Sequence, residues 1–290
     1  MANGHPPGQP PQSGQQPAGN PLPGVKHIIA VGAGKGGVGK STVSVNLALA
    51  LQDKGLKVGL MDGDVYGPSV PKMLGTNEQP TGTGPNSILP NEAYGLKLMS
   101  MGFLLDPEKP MIVRGPIVHT VVRQFLGDVM WGELDYLIVD LPPGTGDVAL
   151  SLAQSCPLTG AVVVSTPQDV ALIDVQKAVS MFRTLNVPVV GLVENMSWYE
   201  CESCGNRDEI FGHGGANAWA DEQKIPFLGG VPLHKSVAIG GDDGTPALRD
   251  ERTPDHVRAS FAALADGLQS QMEELAKLPQ QPLIQIEGLS

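Results

Sequence analysis

Short apolar runs alternate with longer stretches of helical periodicity along most of the chain. The runs carry Val, Ile, Leu and Ala at successive positions, a pattern typical of strands that are buried on both faces. The predicted strands cover residues 27–32, 57–61, 96–100, 136–139, 161–165, 189–193 and 227–231. The predicted helices cover residues 41–54, 117–130, 147–154, 172–185, 216–223 and 254–276. This alternation predicts an α/β fold with a mostly parallel sheet that helices flank on both faces.

Three segments lack this periodicity. Residues 1–24 are almost entirely Pro, Gly, Gln, Ser and Asn, so we expect a disordered arm there. Residues 76–94 are rich in Gly, Pro, Asn and Thr, which predicts a long surface loop. Residues 279–290 are expected to form a loose tail. The sequence therefore predicts one domain over residues 25–278.

Composition narrows the class of protein. Hydrophobic residues make up 41% of the chain, enough for a packed core, and the formal charge is −11. That charge argues against a general nucleic-acid binder, which would show a basic face. No apolar run approaches the roughly 20 residues that a membrane span needs, and the start of the chain has no signal pattern. Three cysteines do not suit a disulfide framework. We expect a cytoplasmic protein that binds neither nucleic acid nor membrane.

The most informative motif follows the first predicted strand and opens the first predicted helix. Residues 34–41 fit the phosphate-binding loop, Gly, four residues, Gly-Lys-Ser. Its glycines allow positive φ and bring backbone N–H groups close to an anion, and the helix N-terminus favours negative charge. Lys40 is expected to reach the outer phosphates of ATP, and the Ser41 hydroxyl to bind Mg²⁺. The predicted nucleotide-binding residues are Gly34, Lys35, Gly36, Gly37, Val38, Gly39, Lys40, Ser41 and Thr42.

The loop contains a second lysine, Lys35, that an ordinary phosphate loop does not need. Residues 35–41, Lys-Gly-Gly-Val-Gly-Lys-Ser, resemble the deviant Walker A motif of the P-loop NTPases related to MinD, ParA and the nitrogenase iron protein. In that class the early lysine reaches across a dimer interface to the partner's nucleotide. The resemblance therefore implies a homodimer in which Lys35 acts in trans.

Acidic residues follow two of the predicted strands. Asp140 comes directly after an apolar run, the form of a Walker B element, and is expected to bind Mg²⁺ through a water. Asp62 is expected beside it, near the Mg²⁺ or its waters. Asp64 lies two residues further on and is the candidate that orients the attacking water. Each Asp alone could equally be a turn or cap residue. The predicted catalytic set is Lys35, Lys40 and Asp64.

Two further segments complete the predicted nucleotide site. Residues 140–147, Asp-Leu-Pro-Pro-Gly-Thr-Gly-Asp, resemble the switch II segment of the same class, with Gly144 and Gly146 free to move and Asp147 as the cap of the next helix. Asn195 ends a predicted strand, and an amide can both donate to and accept from the adenine edge. The family pattern puts an adenine-contacting Asn at this position, although an Asn in a turn is as good an interpretation of the spacing alone.

A cysteine pair follows Asn195. Cys201 and Cys204 have the spacing of a metal knuckle, but two thiolates supply only half of a four-sulfur site. Three interpretations remain open: a thioredoxin-type redox site, a zinc site completed by His213, and a site shared across a two-fold axis. Four shared thiolates would suit either a [4Fe-4S] cluster or zinc. His213 is either a neighbour of such a site or a helix-start residue. Cys156 precedes an apolar strand and is expected in the core.

The motifs around the cysteine pair resemble the Mrp/ApbC family of iron–sulfur cluster carrier ATPases. The likeness covers roughly residues 25–250 and is carried by residues 62–69, 165–172, 195–205, 210–216 and 225–233. It implies that Cys201 and Cys204 hold a labile [4Fe-4S] cluster at the dimer interface. It also implies that the cluster is received from an assembly scaffold and passed to apo-proteins, coupled to ATP binding or hydrolysis. The arm contains no cysteine, so the sequence resembles the short prokaryotic form.

Two other functions use the same nucleotide core. One is a positioning ATPase of the MinD/ParA kind, but membrane targeting would favour a basic amphipathic end. Residues 271–279 instead read Gln-Met-Glu-Glu-Leu-Ala-Lys-Leu-Pro, and the cysteine pair would have no role. The other is a nucleotide-gated electron-transfer reductase, in which a cluster would pass electrons instead of being released.

Overall fold

A computed structural model describes residues 21–64, 67–84, 86–104, 115–144 and 146–277. Its strands are β1 Val25–Gly32, β2 Val58–Asp62, β3 Gly82–Gly84, β4 Ser87–Ile88, β5 Asn91–Ala93, β6 Leu96–Ser100, β7 Leu134–Asp140, β8 Gly160–Ser165, β9 Val189–Asn195, β10 Tyr199–Glu200, β11 Arg207–Asp208 and β12 Phe227–Val231. Its α-helices are α1 Lys40–Asp53, α2 Val70–Met73, α3 Gly115–Gly127, α4 Gly146–Ser155, α5 Asp169–Thr184, α6 Gly215–Gln223, α7 Lys235–Asp243 and α8 Asp255–Lys277. A 3₁₀ turn, Met101–Phe103, follows β6.

The main sheet has eight strands in the order β12-β9-β8-β1-β7-β2-β6-β5. All of its pairings are parallel except that of the short edge strand β5 with β6. The carboxyl ends of β1, β2 and β7 therefore meet at one edge of the sheet, where ligands collect in open α/β folds. The predicted α/β class with a mostly parallel sheet is confirmed.

Helices cover both faces of this sheet because its central strands are apolar on both sides. Along β1, Ile28 and Ala30 join a core that contains residues of α3, α4, α5 and α6. The alternate residues Ile29 and Val31 join a second core with residues of α1, α2 and α8. One strand thus supplies both layers, since successive side chains point to opposite faces.

All seven predicted strands and all six predicted helices are present, with ends shifted by at most three residues. The pattern missed α7, whose sequence contains Gly240 and Gly241 and ends at Gly244 in the left-handed region, φ 77°. It also missed the four-residue helix α2, which has a proline in its first turn. Residues 76–94, predicted as loop, contain β3, β4 and β5; strands of two or three residues are too short to show an apolar alternation.

The N-terminal boundary differs slightly from the prediction. Leu22, within the predicted arm, is buried in the core, and the Val25 N–H donates to its carbonyl at 3.1 Å. The packed region therefore includes Leu22. Residues 1–20 of the predicted arm and the tail 279–290 lie outside the described residues. Within the described ranges, none of the helices has the length and apolar character that crossing a membrane requires.

Candidate functional site

The predicted phosphate loop lies between β1 and α1, at the carboxyl edge of the sheet. Gly37 and Gly39 have φ of 83° and 79°, in the left-handed region where glycine is favoured. The loop borders a cavity of about 230 Å³. The residues that line this cavity are Lys35, Gly36, Gly37, Gly39, Lys40, Ser41, Thr42, Asp64, Ser69, Met73 and Pro143. The structure thus brings most of the predicted nucleotide-binding residues to one cavity, together with Asp64.

Asn195 supports the phosphate loop from the end of β9. Its Nδ2 donates to the Val38 carbonyl at 2.8 Å, and its side chain is buried. A Cβ added to Gly39 would lie 2.1 Å from the same Nδ2, so only glycine fits there. The amide nitrogen therefore fixes the loop. The adenine contact of Asn195 stays a prediction.

Lys40 is buried and pairs with a buried carboxylate. Its Nζ lies 2.7 Å from Asp140 Oδ1 and donates to Ser41 Oγ at 3.2 Å. The Ser41 hydroxyl donates to Asp140 Oδ2 at 2.6 Å, and the Ser44 hydroxyl donates to Asp140 Oδ1 at 2.6 Å. Three donors from the first turns of α1 thus hold the carboxylate at the end of β7. A phosphate group entering the cavity would compete with Asp140 for Lys40.

Asp62 ends β2 and is fully buried. Its Oδ1 accepts from the Asp64 N–H at 3.0 Å, and its Oδ2 accepts from the Ser100 hydroxyl at 3.0 Å and the Val70 N–H at 3.4 Å. Burial, and secondarily the charge of Asp140, raise the pKa of Asp62 from 3.8 to about 7. The carboxyl therefore keeps a proton well above the pH at which a free aspartic acid loses it, and a bound cation would favour its ionised form.

These groups fit Mg²⁺. Asp62 and Asp140 are paired residues on neighbouring parallel strands, and the Ser41 hydroxyl is bonded to Asp140. Carboxylate and hydroxyl oxygens are the donors that Mg²⁺ prefers, usually with waters completing its coordination. Two buried carboxyl groups with one buried lysine also leave the site receptive to added positive charge. The roles of Ser41, Asp62 and Asp140 toward Mg²⁺ stay predictions.

Asp64 lies on the wall of the cavity, half-buried, and its Oδ1 accepts from the Gly67 N–H at 3.1 Å. Its backbone is tied to Asp62, so the loop that carries it starts from a fixed point. Lys35 lines the same cavity, and the described residues include no hydrogen-bond or ion-pair partner for its ammonium group. Water orientation by Asp64 and trans action by Lys35 stay predictions.

The predicted switch segment joins β7 to α4. Gly144 has φ 66°, and its N–H donates to the Ala33 carbonyl at 3.4 Å, a long bond between this segment and the start of the phosphate loop. Gly146 is the first residue of α4, and Asp147 lies in its first turn, where a carboxylate favours the helix dipole. Asp147 is therefore inside the helix and not the cap before it.

The cysteine pair lies in the turn between β10 and β11. The Cys201 N–H donates to the Asn206 carbonyl at 2.9 Å, and the Gly205 N–H donates to the Cys201 carbonyl at 2.8 Å. Hydrogen bonds from the Ser203 N–H, and then from the Cys204 N–H, lower the pKa of Cys201. Cys201 is half-buried and Cys204 is exposed. The turn thus stabilises a thiolate, the form that binds metal.

The geometry removes two of the open interpretations. A thioredoxin-type pair would open a helix, whereas this pair lies in a hairpin turn. A zinc site with His213 would bring three ligands together, and the described residues contain no group of three His, Cys, Asp or Glu side chains able to hold a metal. His213 instead lies 3.0 Å from Ser197 Oγ through Nδ1 and 3.4 Å from Arg207 through Nε2. It precedes α6, which agrees with the helix-start interpretation.

Cys156 follows α4 and is buried. Its thiol donates to the Leu152 carbonyl at 3.4 Å, and burial raises its pKa to about 12. A thiol that stays protonated and enclosed is a core residue, as predicted, and not a ligand.

Sequence reasoning missed several residues that support the site. Ser44 and Ser100 bond the two buried carboxylates, and Glu194 accepts from the Gly214 and Ala216 N–H groups at 3.2 and 3.0 Å, at the start of α6. Ser44 follows Lys40 by one helical turn, a spacing that could have identified it. For Ser100 and Glu194 the partners are distant in sequence, so no local signal exists.

Known proteins resemble this chain over most of its length. A ParA family model, described as NUBPL iron-transfer P-loop NTPase, matches residues 24–269. The iron-sulfur cluster carrier protein of Aquifex aeolicus is 51% identical over 255 residues, which cover 87% of this chain and 70% of the relative. The iron-sulfur cluster transfer protein NUBPL of Mus musculus is 48% identical over 245 residues, covering 84% of this chain and 77% of the relative.

A solved structure is similar to this chain in both sequence and fold. The nucleotide-binding protein from Archaeoglobus fulgidus, in complex with ADP, is 38% identical with a TM-score of 0.70. The match covers 80% of this chain and 94% of that protein. The likeness therefore extends over most of both chains.

Proposed function

The chain belongs to the NUBPL iron-transfer P-loop NTPase family, and from that premise we propose that it is an ATP-dependent carrier of iron–sulfur clusters. In this proposal a homodimer holds one labile [4Fe-4S] cluster as cargo between Cys201 and Cys204 of its two subunits. ATP binding or hydrolysis at the phosphate loop is coupled to delivery of the cluster to apo-proteins.

The nucleotide half of the proposal rests on the cavity beside the phosphate loop. Lys40, the first residue of α1, lines this cavity and is held there by Asp140 and Ser41, so an outer phosphate would meet its ammonium group in competition with Asp140. Mg²⁺, when bound, would be held by Ser41, Asp62 and Asp140 and would supply positive charge to the phosphates. Asp64 would orient the attacking water and accept its proton during hydrolysis. Lys35 would complete the nucleotide site of the second subunit. This role suits a lysine that lines the cavity and makes no hydrogen bond or ion pair to the described residues.

The single observation that carries the cluster half is the cysteine turn. It presents two cysteines per chain, with backbone N–H groups directed at the Cys201 sulfur, and the described residues supply no third ligand. A site that is half complete on one chain is completed by the same loop of a second chain when a two-fold axis passes between them. Four thiolates arranged in this way suit a [4Fe-4S] cluster.

The two rival functions have less support. In a positioning ATPase of the MinD/ParA kind the cysteine turn would have no role. The relatives from Aquifex aeolicus and Mus musculus, which are 51% and 48% identical to this chain, are named for cluster carriage or transfer. An electron-transfer reductase would keep its cluster, whereas a cluster held by two exposed turns is open to exchange.

The expected location is the cytoplasm, because exposed thiols favour a reducing compartment. The expected partners are apo iron–sulfur proteins and an assembly scaffold.

Anaerobic reconstitution tests the proposal. The purified protein is incubated with ferrous iron, sulfide and a thiol, and the absorption spectrum, the iron and sulfide content and the sedimentation coefficient are then measured. The expected result is four iron and four sulfide per dimer, followed by transfer to an apo-enzyme that regains activity. Stoichiometric zinc without sulfide in protein prepared without air, or one full cluster on a monomer, would refute the proposal.

Single-cysteine variants provide the matched controls. Cys201→Ala and Cys204→Ala should each lose the cluster and still bind ATP, because the phosphate loop lies on other elements. Cys156→Ala should keep the cluster and change only the free energy of unfolding. Loss of the cluster should also weaken the nucleotide-free dimer. An unchanged cluster content in Cys201→Ala would exclude the turn as the cluster site.

A further inference from the structure

Glu202, one of the two residues between the cysteines, connects their turn to the body of the protein. Glu202 Oε1 lies 3.1 Å from His234 Nε2, and Glu202 Oε2 accepts from Lys235 Nζ at 2.6 Å. His234 is the cap residue before α7, and Lys235 is the first residue of that helix. The carboxylate therefore spans two adjacent donors at one helix end.

His234 is held so that its Nε2 proton points at Glu202. The ring is buried, and its Nδ1 accepts from the Ser236 N–H at 3.1 Å. The Ser236 hydroxyl lies 2.8 Å from the same Nδ1 and itself accepts from the Thr253 hydroxyl at 3.0 Å. Because a backbone N–H already occupies the Nδ1 lone pair, the ring proton is on Nε2. This fixed donor gives Glu202 a defined position.

Few other interactions hold residues 201–206 themselves, although the flanking strands contact the body of the protein through Glu200 and His256, 3.7 Å apart, and through Arg207 and His213, 3.4 Å apart. Strands β10 and β11 have two residues each, and an isolated two-stranded hairpin is only marginally stable. The hydrogen bonds of Cys201 and Gly205 stay within the turn. Of residues 201–206, all of which the structure describes, only Glu202 has a hydrogen bond or ion pair to an element outside the hairpin.

Helix α7 also faces the nucleotide side of the molecule. It packs on α2, and Gly244 at its end lies so close to Gly75 that a Cβ on Gly244 would be 2.6 Å from the Gly75 Cα. Helix α2 in turn begins at Val70, whose N–H faces Asp62 at 3.4 Å. A contiguous set of contacts therefore runs from Asp62 through α2 and α7 to the turn that holds the cysteines.

We propose that Glu202 is a positioning residue for the cysteine pair: through His234 and Lys235 it holds the turn on α7, and α7 connects it through α2 to Asp62. This role rests on the proposed function. It would fix the position of the cysteine turn and connect that turn to the nucleotide site. Lys235 and Glu202 are largely exposed, so this contact adds little to global stability. Its effect is on the position of the turn.

The test compares Glu202→Ala with Glu209→Ala, which removes the same charge from the same exposed segment without touching α7. In cluster-free protein, hydrogen exchange of the amides of residues 201–206 is measured by mass spectrometry, with and without Mg-ADP. Glu202→Ala should exchange about fivefold faster there, the equivalent of the roughly 1 kcal/mol that a hydrogen bond contributes. Glu209→Ala should match the wild type, and Glu202→Gln should lie closer to the wild type, because its amide oxygen still accepts. Mg-ADP should change the exchange of the turn in the wild type and in Glu209→Ala, but not in Glu202→Ala.

The rate of cluster loss to a chelator should follow the same order in reconstituted protein, with equal initial iron content. Equal exchange and equal loss rates in Glu202→Ala and Glu209→Ala would overturn the positioning role. A nucleotide response of the turn that survives Glu202→Ala, or that is missing from the wild type, would overturn the connection through α7. A wild-type protein that never accepts a cluster would refute the proposed function, while the exchange measurement would still decide the role of Glu202.

Discussion

Asp62 and Asp140 are directly paired residues on the neighbouring parallel strands β2 and β7, both fully buried, and Lys40 forms an ion pair of 2.7 Å with Asp140. Two carboxyl groups this close repel each other when both are ionised. The two carboxyl groups therefore destabilise each other at the strand ends, and a bound cation would reduce this repulsion. Such unrelieved charge is typical of functional sites.

Replacing Asp62 by Asn should stabilise the protein in the absence of nucleotide and magnesium. The pKa of Asp62 is 3.8 in the unfolded chain and about 7 in the folded one. Between these values the folded state holds the extra proton, so this group lowers stability as the pH rises from about 4 to about 7. The gain in melting temperature for Asp62→Asn should grow over that interval and stay level at higher pH. Asp147→Asn, an exposed acid, is the control, and no gain at pH 8 would contradict the pKa assignment.

Substitutions of the two lysines in the phosphate loop should differ in their effects on ATPase activity and on stability. Lys40→Ala should abolish ATP binding and hydrolysis, and it leaves Asp140 buried without its counter-charge, at a cost of about 3 kcal/mol of unfolding free energy. Lys35→Ala should change stability by less than about 0.5 kcal/mol and retain ATP binding but lose hydrolysis. Calorimetric titration with ATP, denaturant unfolding and phosphate release measure these effects. ATP hydrolysis at the wild-type rate in Lys35→Ala would exclude the trans role.

The acids should act on different steps. Asp64→Asn should bind Mg-ATP and fail to hydrolyse it, which accumulates a nucleotide-bound dimer, because the amide cannot take a proton from the attacking water. Asp140→Asn should instead raise the magnesium concentration needed for half-maximal ATPase activity. Phosphate release and sedimentation with ATP distinguish the two variants. If Asp64→Asn hydrolyses ATP normally, another group positions the water.

Much of the fold follows from the sequence because the central strands are apolar on both faces and the six predicted helices have helical periodicity. The positions of Asp62 and Asp140 could be predicted as strand ends, since Asp after an apolar run in a parallel sheet must lie at the carboxyl edge. Contacts across the chain could not be predicted in this way. Ser100 beside Asp62, and His234 beside Glu202, depend on how distant elements pack, and no local pattern records that packing.

At the cysteine turn, too, the sequence predicted some features and the fold was needed for others. Spacing alone predicted that Cys201 and Cys204 share one site, and it left open a redox pair, zinc and a shared cluster. The hairpin around them argues against a redox pair, and the environment of His213 argues against zinc held with His213. Both observations need the fold. The donors that stabilise the Cys201 thiolate are backbone N–H groups, which every sequence contains, so their orientation is a property of the fold.

The three cysteines should differ in their reaction with iodoacetamide in cluster-free protein. The reactive species is the thiolate. The pKa of Cys201 is lowered, chiefly by the Ser203 N–H, so its alkylation should persist to a lower pH than that of an ordinary cysteine. Cys156 is buried with a pKa of about 12 and should stay unmodified until the protein unfolds. The Cys204→Ser variant leaves Cys201 as the exposed thiol, so mass spectrometry of its modification against pH gives the Cys201 titration directly. Half-maximal reaction at or above the pH of a free cysteine would contradict a stabilised thiolate, and rapid modification of Cys156 in native protein would contradict its place in the core.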